Sequence, residues 1–241
     1  MPGSPAFTPT GTLTEAQAQP GLLASESPVR RLLTLALDLV FPPRCAGCGR
    51  VDVRWCERCQ RELDAVQLTA LVVPHPPLES AAATGTHAGI LQQAVWALKF
   101  DNGQFLAAPL GDRLASRLQT LNWPVDLIVP VPLHPTRQAE RGYNQSQLLA
   151  ERLAARTGLP CMPDAVRRLR QTSSQVGLNH SQRQVNMAGA FAAQSERVMG
   201  HVVLLLDDVY TTGSTLAACA EAALAAGARS VYGLTVTAAR G

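Results

Sequence analysis

Along this chain the spacing of apolar residues changes several times, and each change predicts an element. Leu32, Leu33, Leu35, Ala36 and Leu39 recur at helical spacing, and Pro42-Pro43 ends the run. "GILQQAVWALKF" (89–100) and "GQFLAAPLGDRLASRL" (103–118) read as further helices. "NQSQLLAERLAARTG" (144–158) is another, with Asn144 as its N-cap and Gly158 closing it. "STLAACAEAALAAG" (214–227) ends at Gly227. The strands read differently. "VDLIVPVP" (125–132) stops at prolines, and "HVVLLLDD" (201–208) is a continuous apolar run, as in a strand buried on both faces. "SVYGLTVTA" (230–238) is a further strand. Strands alternating with helices predict an α/β fold with a parallel sheet, flanking helices and right-handed crossovers.

Composition adds boundaries. Residues 1–27 are rich in Pro, Thr, Gly, Gln and Ala without periodicity, so a disordered tail is expected there. Residues 28–70 hold the first helix and a cysteine cluster, and 80–241 the α/β domain. At 46% hydrophobic, 241 residues suffice for one full core and a small appendage. The net charge of +3 does not announce nucleic acid, and aromatics at 5% do not favour a platform for stacked bases. Lys99 is the one lysine among many arginines. "RRLLTLALDLVF" (30–41) mimics a signal peptide, but it contains Asp38 and runs into cysteines. A short amphipathic helix, no membrane insertion and a cytoplasmic location are the expectation.

Four of the six cysteines fall at C-x2-C-x7-C-x2-C: Cys45, Cys48, Cys56 and Cys59. Each pair aims two thiolates at one point, and two pairs make the closed S4 cage of a structural Zn2+ site. A disulfide framework is the rival, disfavoured by a reducing compartment. Arg44, Arg50, Arg54, Arg58 and Arg61 surround the cluster, either as a nucleic-acid contact or as a solvated surface.

The densest chemistry is "VVLLLDDVYTTGST" (202–215). Ligands of open parallel sheets bind beyond the carboxyl ends of strands, where Asp207 and Asp208 stand. Thr211, Thr212, Gly213, Ser214 and Thr215 then turn into a helix whose N–H groups, with added hydroxyls, form an anion cradle. A phosphate suits the cradle but not the acids, so the acids must serve another part of the same ligand. Vicinal ribose hydroxyls can donate to them, and the whole reads as a holder for ribose 5-phosphate. The loop lacks the Walker pattern.

"VPVPLHPTRQAERGYNQ" (129–145) supplies Arg137 and Arg141, fixed cations for polyanion oxygens. "RRLRQTSSQVGLNHSQRQVNMAGAF" (167–191) carries more arginines. Its 171–178 part reads as a mobile flap or as a solvated basic loop, and Ser181 with Gln184 has capping-box spacing.

These segments carry a resemblance. "VVLLLDDVYTTGST" resembles the phosphoribosyl diphosphate (PRPP) motif of type I phosphoribosyltransferases. That likeness implies that Asp207 and Asp208 hold the ribose 2- and 3-hydroxyls and that Thr211–Thr215 hold the 5-phosphate. It assigns His134–Arg137 to diphosphate. From about Leu33 onward the chain is similar to the ComF family, amidophosphoribosyltransferase-like proteins linked to DNA uptake, through its Pro-Pro-x-Cys segment, "WALKF" and the segments above. It departs at "THAGILQQ", where His87 and Gln92 replace an aromatic and a basic residue. The resemblance implies a type I phosphoribosyltransferase-like domain behind a zinc ribbon, binding PRPP or a related ligand with Mg2+. Arg137, with Arg141 or Lys99, would stabilise the departing diphosphate. It equally implies a non-catalytic module that binds single-stranded DNA or a DNA-uptake helicase.

Overall fold

The computed structural model describes residues 42–68, 72–170 and 189–239. The predicted tail (1–27), first helix (32–39), flap (171–178) and helix start near 181 lie outside them.

The main sheet contains β1 (Val72–His75), β2 (Leu78–Thr86), β3 (Leu127–Pro130), β6 (Val202–Tyr210) and β7 (Ser230–Ala238), in spatial order β1-β2-β7-β6-β3. β2, β7, β6 and β3 are parallel and β1 runs antiparallel along the edge. Leu204 of β6 faces Ile128 of β3 on one side and Tyr232 of β7 on the other. β4 (Val166–Arg168) and β5 (Phe191–Ala193) make a separate antiparallel pair. The helices are α1 (Glu57–Ala65), α2 (Gly89–Phe100), α3 (Ala107–Leu121), α4 (Pro135–Arg141), α5 (Gln145–Thr157), α6 (Ser195–Val198) and α7 (Ser214–Ala225). A parallel sheet flanked by helices is the class the periodicity predicts.

The run Val202–Leu206 is buried throughout, and its two faces serve two cores. Leu204 and Leu206 join α2, α3, α5 and the cysteine segment, whereas Val203 and Leu205 join α7 and the β4-β5 pair. That division is the two-residue period of a strand covered on both sides.

Three details differ from the sequence reading. β1 and β2 were not predicted. β1 carries Pro74, which demotes a strand pattern but suits an edge, and β2 (LESAAATGT) lacks the β-branched residues that mark strands. The helix expected from Gly103 starts as a 3-10 turn (Gly103–Leu106), after Asn102 takes a left-handed φ of 52°, and becomes α-helical at Ala107. The third is α4, a helix the sequence reading did not contain, which begins at Pro135 with His134 as its cap. His134 Nδ1 accepts from the Thr136 N–H at 3.3 Å, and Pro135 suits the first turn.

Candidate functional site: the carboxyl edge of the sheet and the cysteine cage

Parallel strands β2, β3, β6 and β7 point their carboxyl ends to one edge, and three of the predicted groups meet there. Asp208, at the end of β6, is 3% exposed. Its Oδ2 lies 2.9 Å from the Lys99 Nζ of α2. That oxygen makes no aligned hydrogen bond among the described residues, so the contact is ionic. A buried carboxylate needs such a partner. The charge of Asp208 also reaches Arg141, whose guanidinium burial pulls below its ordinary value. Arg141 donates to Gln145 Oε1 and lies over the Phe100 ring, 5.2 Å from its centre.

Asp207 is held differently. Its Oδ1 accepts from Ser146 Oγ at 2.8 Å and from the Asp208 N–H at 2.9 Å. Burial and the Asp208 charge push its carboxyl up to about 7, against the opposing pull of Lys99 and those two hydrogen bonds. Ser146 is buried at the start of α5, its N–H donating to the Asn144 cap, which in turn donates to the Val131 carbonyl after β3. Asn144 is the predicted cap; Ser146 was missed because nothing in its own segment signals an acid 61 residues away.

The turn after β6 runs as expected into α7, with Gly213 at φ 74° as the residue before the helix. The Thr212 and Ser214 hydroxyls are 2.8 Å apart, Thr211 is exposed and Thr215 half-buried. A side chain at Gly213 would place its Cβ 2.4 Å from His75 Nε2 and 2.9 Å from the Tyr210 hydroxyl. Tyr210 and His75 are themselves 3.2 Å apart, from hydroxyl to Nδ1. His75 thus walls the predicted phosphate cradle from β1, a strand the sequence reading did not contain.

Arg137 is exposed on α4, away from direct contact with the acids, though its charge is felt at Arg141 and Arg168. Arg168, on β4, feels Asp207 as well and lies over Phe191 at 5.5 Å. His87, at the sequence departure, closes the end of β2: its N–H donates to the Ala238 carbonyl and its Nδ1 lies 2.8 Å from Thr237 Oγ1. Burial lowers its imidazole, as does Lys99.

The four cysteines form the second constellation. Their sulfurs lie within 4.8 Å of one another, with Cys45 to Cys59 and Cys48 to Cys56 at 3.6 Å. A zinc tetrahedron with ~2.3 Å bonds has edges of about 3.8 Å, so the cage fits Zn2+. Burial raises the Cys45 thiol and the N–H groups of Cys48, Cys56 and Gly47 lower it, leaving it at about 6. Cys59 is pushed up by burial and by its neighbouring thiols. Four thiolates this close require a cation between them. Cys161 and Cys219 stand apart from the cage. The cage packs directly on α2: a Cβ at Gly47 would meet Cys59 Sγ at 2.6 Å and Ile90 Cδ1 at 3.0 Å. Arg113 of α3 fastens the same module to β2, donating to the Leu63, Gln67 and Thr84 carbonyls.

These features define a parallel α/β protein with a cysteine cage of zinc-ribbon type set into its core. The double zinc ribbon domain family matches residues 36–70. Over 184 residues, 71% of this chain and 80% of its relative, the sequence is 32% identical to Competence protein F of Haemophilus influenzae. Over 195 residues, 78% of this chain and 85% of the other, it is 32% identical to DNA utilization protein YhgH of Escherichia coli K12. The chain belongs to the ComF family, that of Competence protein F. Among solved structures, the glutamine PRPP amidotransferase of Bacillus subtilis aligns with a TM-score of 0.39 and 21% identity, over 54% of this chain and 26% of that one. Among the described residues no helix is long and apolar enough to cross a membrane.

Proposed function

We propose that the carboxyl edge binds PRPP or a related ribose 5-phosphate ligand, in a protein that serves DNA uptake or utilisation. The names of its relatives, Competence protein F and DNA utilization protein, support the second part. The observation that carries the first is the pairing of an acid couple, Asp208 buried and Asp207 half-buried, with a small-residue turn at one strand end. Asp207 Oδ2 and Asp208 Oδ1 make no hydrogen bond among the described residues, so each carboxylate keeps one oxygen for a ribose hydroxyl. The N–H groups at the start of α7, with the Thr212 and Ser214 hydroxyls, receive the 5-phosphate. Lys99 and Arg141 flank the acids and meet the diphosphate charge, with Arg137 further out on α4. The acid oxygens are also hard ligands of the kind Mg2+ accepts, and that ion, when bound, neutralises diphosphate oxygens. In transfer, Arg141 and Lys99 stabilise charge on the leaving diphosphate while the acids hold the ribose in place.

Calorimetric titration of PRPP with Mg2+ into wild type and into Asp207→Asn/Asp208→Asn tests the site. Loss of two charge-assisted contacts of about 1.5–3 kcal/mol each is expected to weaken binding at least a hundredfold. Equal affinity of the two proteins would remove the acid pair from the site. Diphosphate release with candidate acceptors then separates transfer from binding.

A further inference from the structure

The transfer proposed above leaves one titratable group of the carboxyl edge without a task. Along that edge the parallel strands stand in the order β2-β7-β6-β3. Arg137 and Arg141, the cations for the leaving diphosphate, lie on α4, which follows β3, and the acids for the ribose lie on β6. A nucleophile that displaces diphosphate from C1 in line approaches from the side away from it, the side of β7 and β2. His87 stands there, directly after the last residue of β2. Its backbone N–H donates to the Ala238 carbonyl at 2.7 Å and its Nδ1 lies 2.8 Å from Thr237 Oγ1, so β7 fixes both the chain and the ring. The Thr237 hydroxyl donates its one proton to the Asp208 carbonyl at 3.5 Å, which assigns Nδ1–H as the donor to Oγ1 and leaves the lone pair on Nε2. Nε2 makes no hydrogen bond among the described residues, and the side chain is half-buried.

We propose that His87 is the general base of the transfer, taking a proton at Nε2 from a neutral N–H or O–H acceptor as that acceptor attacks C1. The bond from acceptor to C1 forms as the C1–O bond to diphosphate breaks. The electron pair leaves with diphosphate, and the acceptor's proton passes to Nε2, from which water then takes it. The assignment rests on the ribose 5-phosphate reading of the edge. Lys99 and Asp208 are the charged groups felt at the imidazole. Burial and Lys99 hold it below its ordinary value against the pull of Asp208, so the ring is neutral near pH 7 and able to receive a proton. The acceptor is then a nucleophile that still carries its proton on arrival, an amine, amide or hydroxyl rather than a carboxylate or phosphate. In the resembling family an aromatic usually stands in this place, so the base belongs to this chain and not to the fold.

The test follows diphosphate release from PRPP with Mg2+ by the full zinc-loaded chain, with water or methanol as the nucleophile. Wild type is compared with His87→Gln and with His87→Phe, which restores an aromatic ring without a base. PRPP affinity is measured separately by calorimetry. Both variants are expected to melt near wild type, to keep PRPP affinity within about twofold and to lose about a hundredfold in kcat. At saturating PRPP the ligand already holds Asp207 ionised, so its titration does not enter kcat. Wild-type kcat is then expected to fall as pH drops through the depressed imidazole value, below about 6.5, and the variants to show no such limb. Variant kcat equal to wild type overturns the proposal, as does an acid limb that persists in His87→Gln. Activity retained in His87→Phe overturns it too, by making the ring a packing group. So does a wild type that binds PRPP and releases no diphosphate. A wild type that does not bind PRPP overturns the reading of the edge and this assignment with it, and calorimetry tells the two failures apart.

Discussion

The cysteine cage and the carboxyl edge both gather anionic groups at close range, and they differ in what neutralises them. In the cage, the hydrogen-bond partners of the thiols among the described residues are one another and backbone N–H groups. At the edge, Asp208 has Lys99 at 2.9 Å, and Asp207 has Ser146 and a backbone N–H. The first constellation therefore needs an external cation to exist. The second is neutralised by groups the fold itself supplies. The metal-dependent constellation and the proposed ligand site are thus separate, although both border α2.

The contrast breaks most visibly on metal removal. Purified protein is expected to carry about one zinc per chain, lost in Cys45→Ser/Cys48→Ser and on strong chelation. Because Cys45, Cys56, Cys59 and Leu63 share a core with α2 and α3, losing several kcal/mol of metal binding should lower the melting temperature by about 10 °C or more. A metal-free wild type that melts like the loaded one would erase the distinction.

The next effect is at Gly213. Gly213→Ala combines a left-handed backbone with a clash against His75, and should cost about 2–3 kcal/mol. In a His75→Ala background the same change should cost only about 1 kcal/mol, the backbone part. Denaturant titration of the four proteins measures the coupling, and equal costs in both backgrounds would detach β1 from the cradle.

The smallest effects concern Asp207. Its carboxyl keeps a proton to about 7 in the folded chain, whereas an unfolded aspartate releases it near ~3.9. The folded state thus binds more protons between those values, so this site's contribution to stability falls as pH rises from about 4 to about 7 and is level above. Asp207→Asn should remove that slope. Ser146→Ala deletes a contact that holds the carboxyl down, so it should move the upper end of the window upward and cost about 1 kcal/mol. PRPP affinity, which needs the ionised acid, should rise through the same range in wild type and stay flat in Asp207→Asn. Stability curves from pH 4 to 9 that coincide for wild type and Asp207→Asn would show that this carboxyl is unperturbed.

Several features were legible from local pattern. α2 and β7 begin and end where periodicity places them, at Gly89–Phe100 and Ser230–Ala238. The cysteine cage was readable because all four ligands lie within fifteen residues and two tight turns suffice to converge them. The acid pair and its turn were readable because a strand end, two carboxylates and a helix start are consecutive. β1 and β2 were not, since an edge position tolerates Pro74 and burial between neighbours holds an alanine-rich strand that propensity alone does not favour.

By itself the sequence determined the alternation of strands and helices, the spacing of four thiolates and the order of groups along the acidic turn. Each depends on neighbours a few residues away, within reach of backbone geometry. The tertiary structure alone decided that Lys99 meets Asp208, that Ser146 reaches Asp207, that His75 covers Gly213 and that Trp96 and Phe100 are left in water. Those outcomes follow from how packed layers bring distant segments together, and a side chain's partner across 61 or 135 residues leaves no trace in the residues beside it.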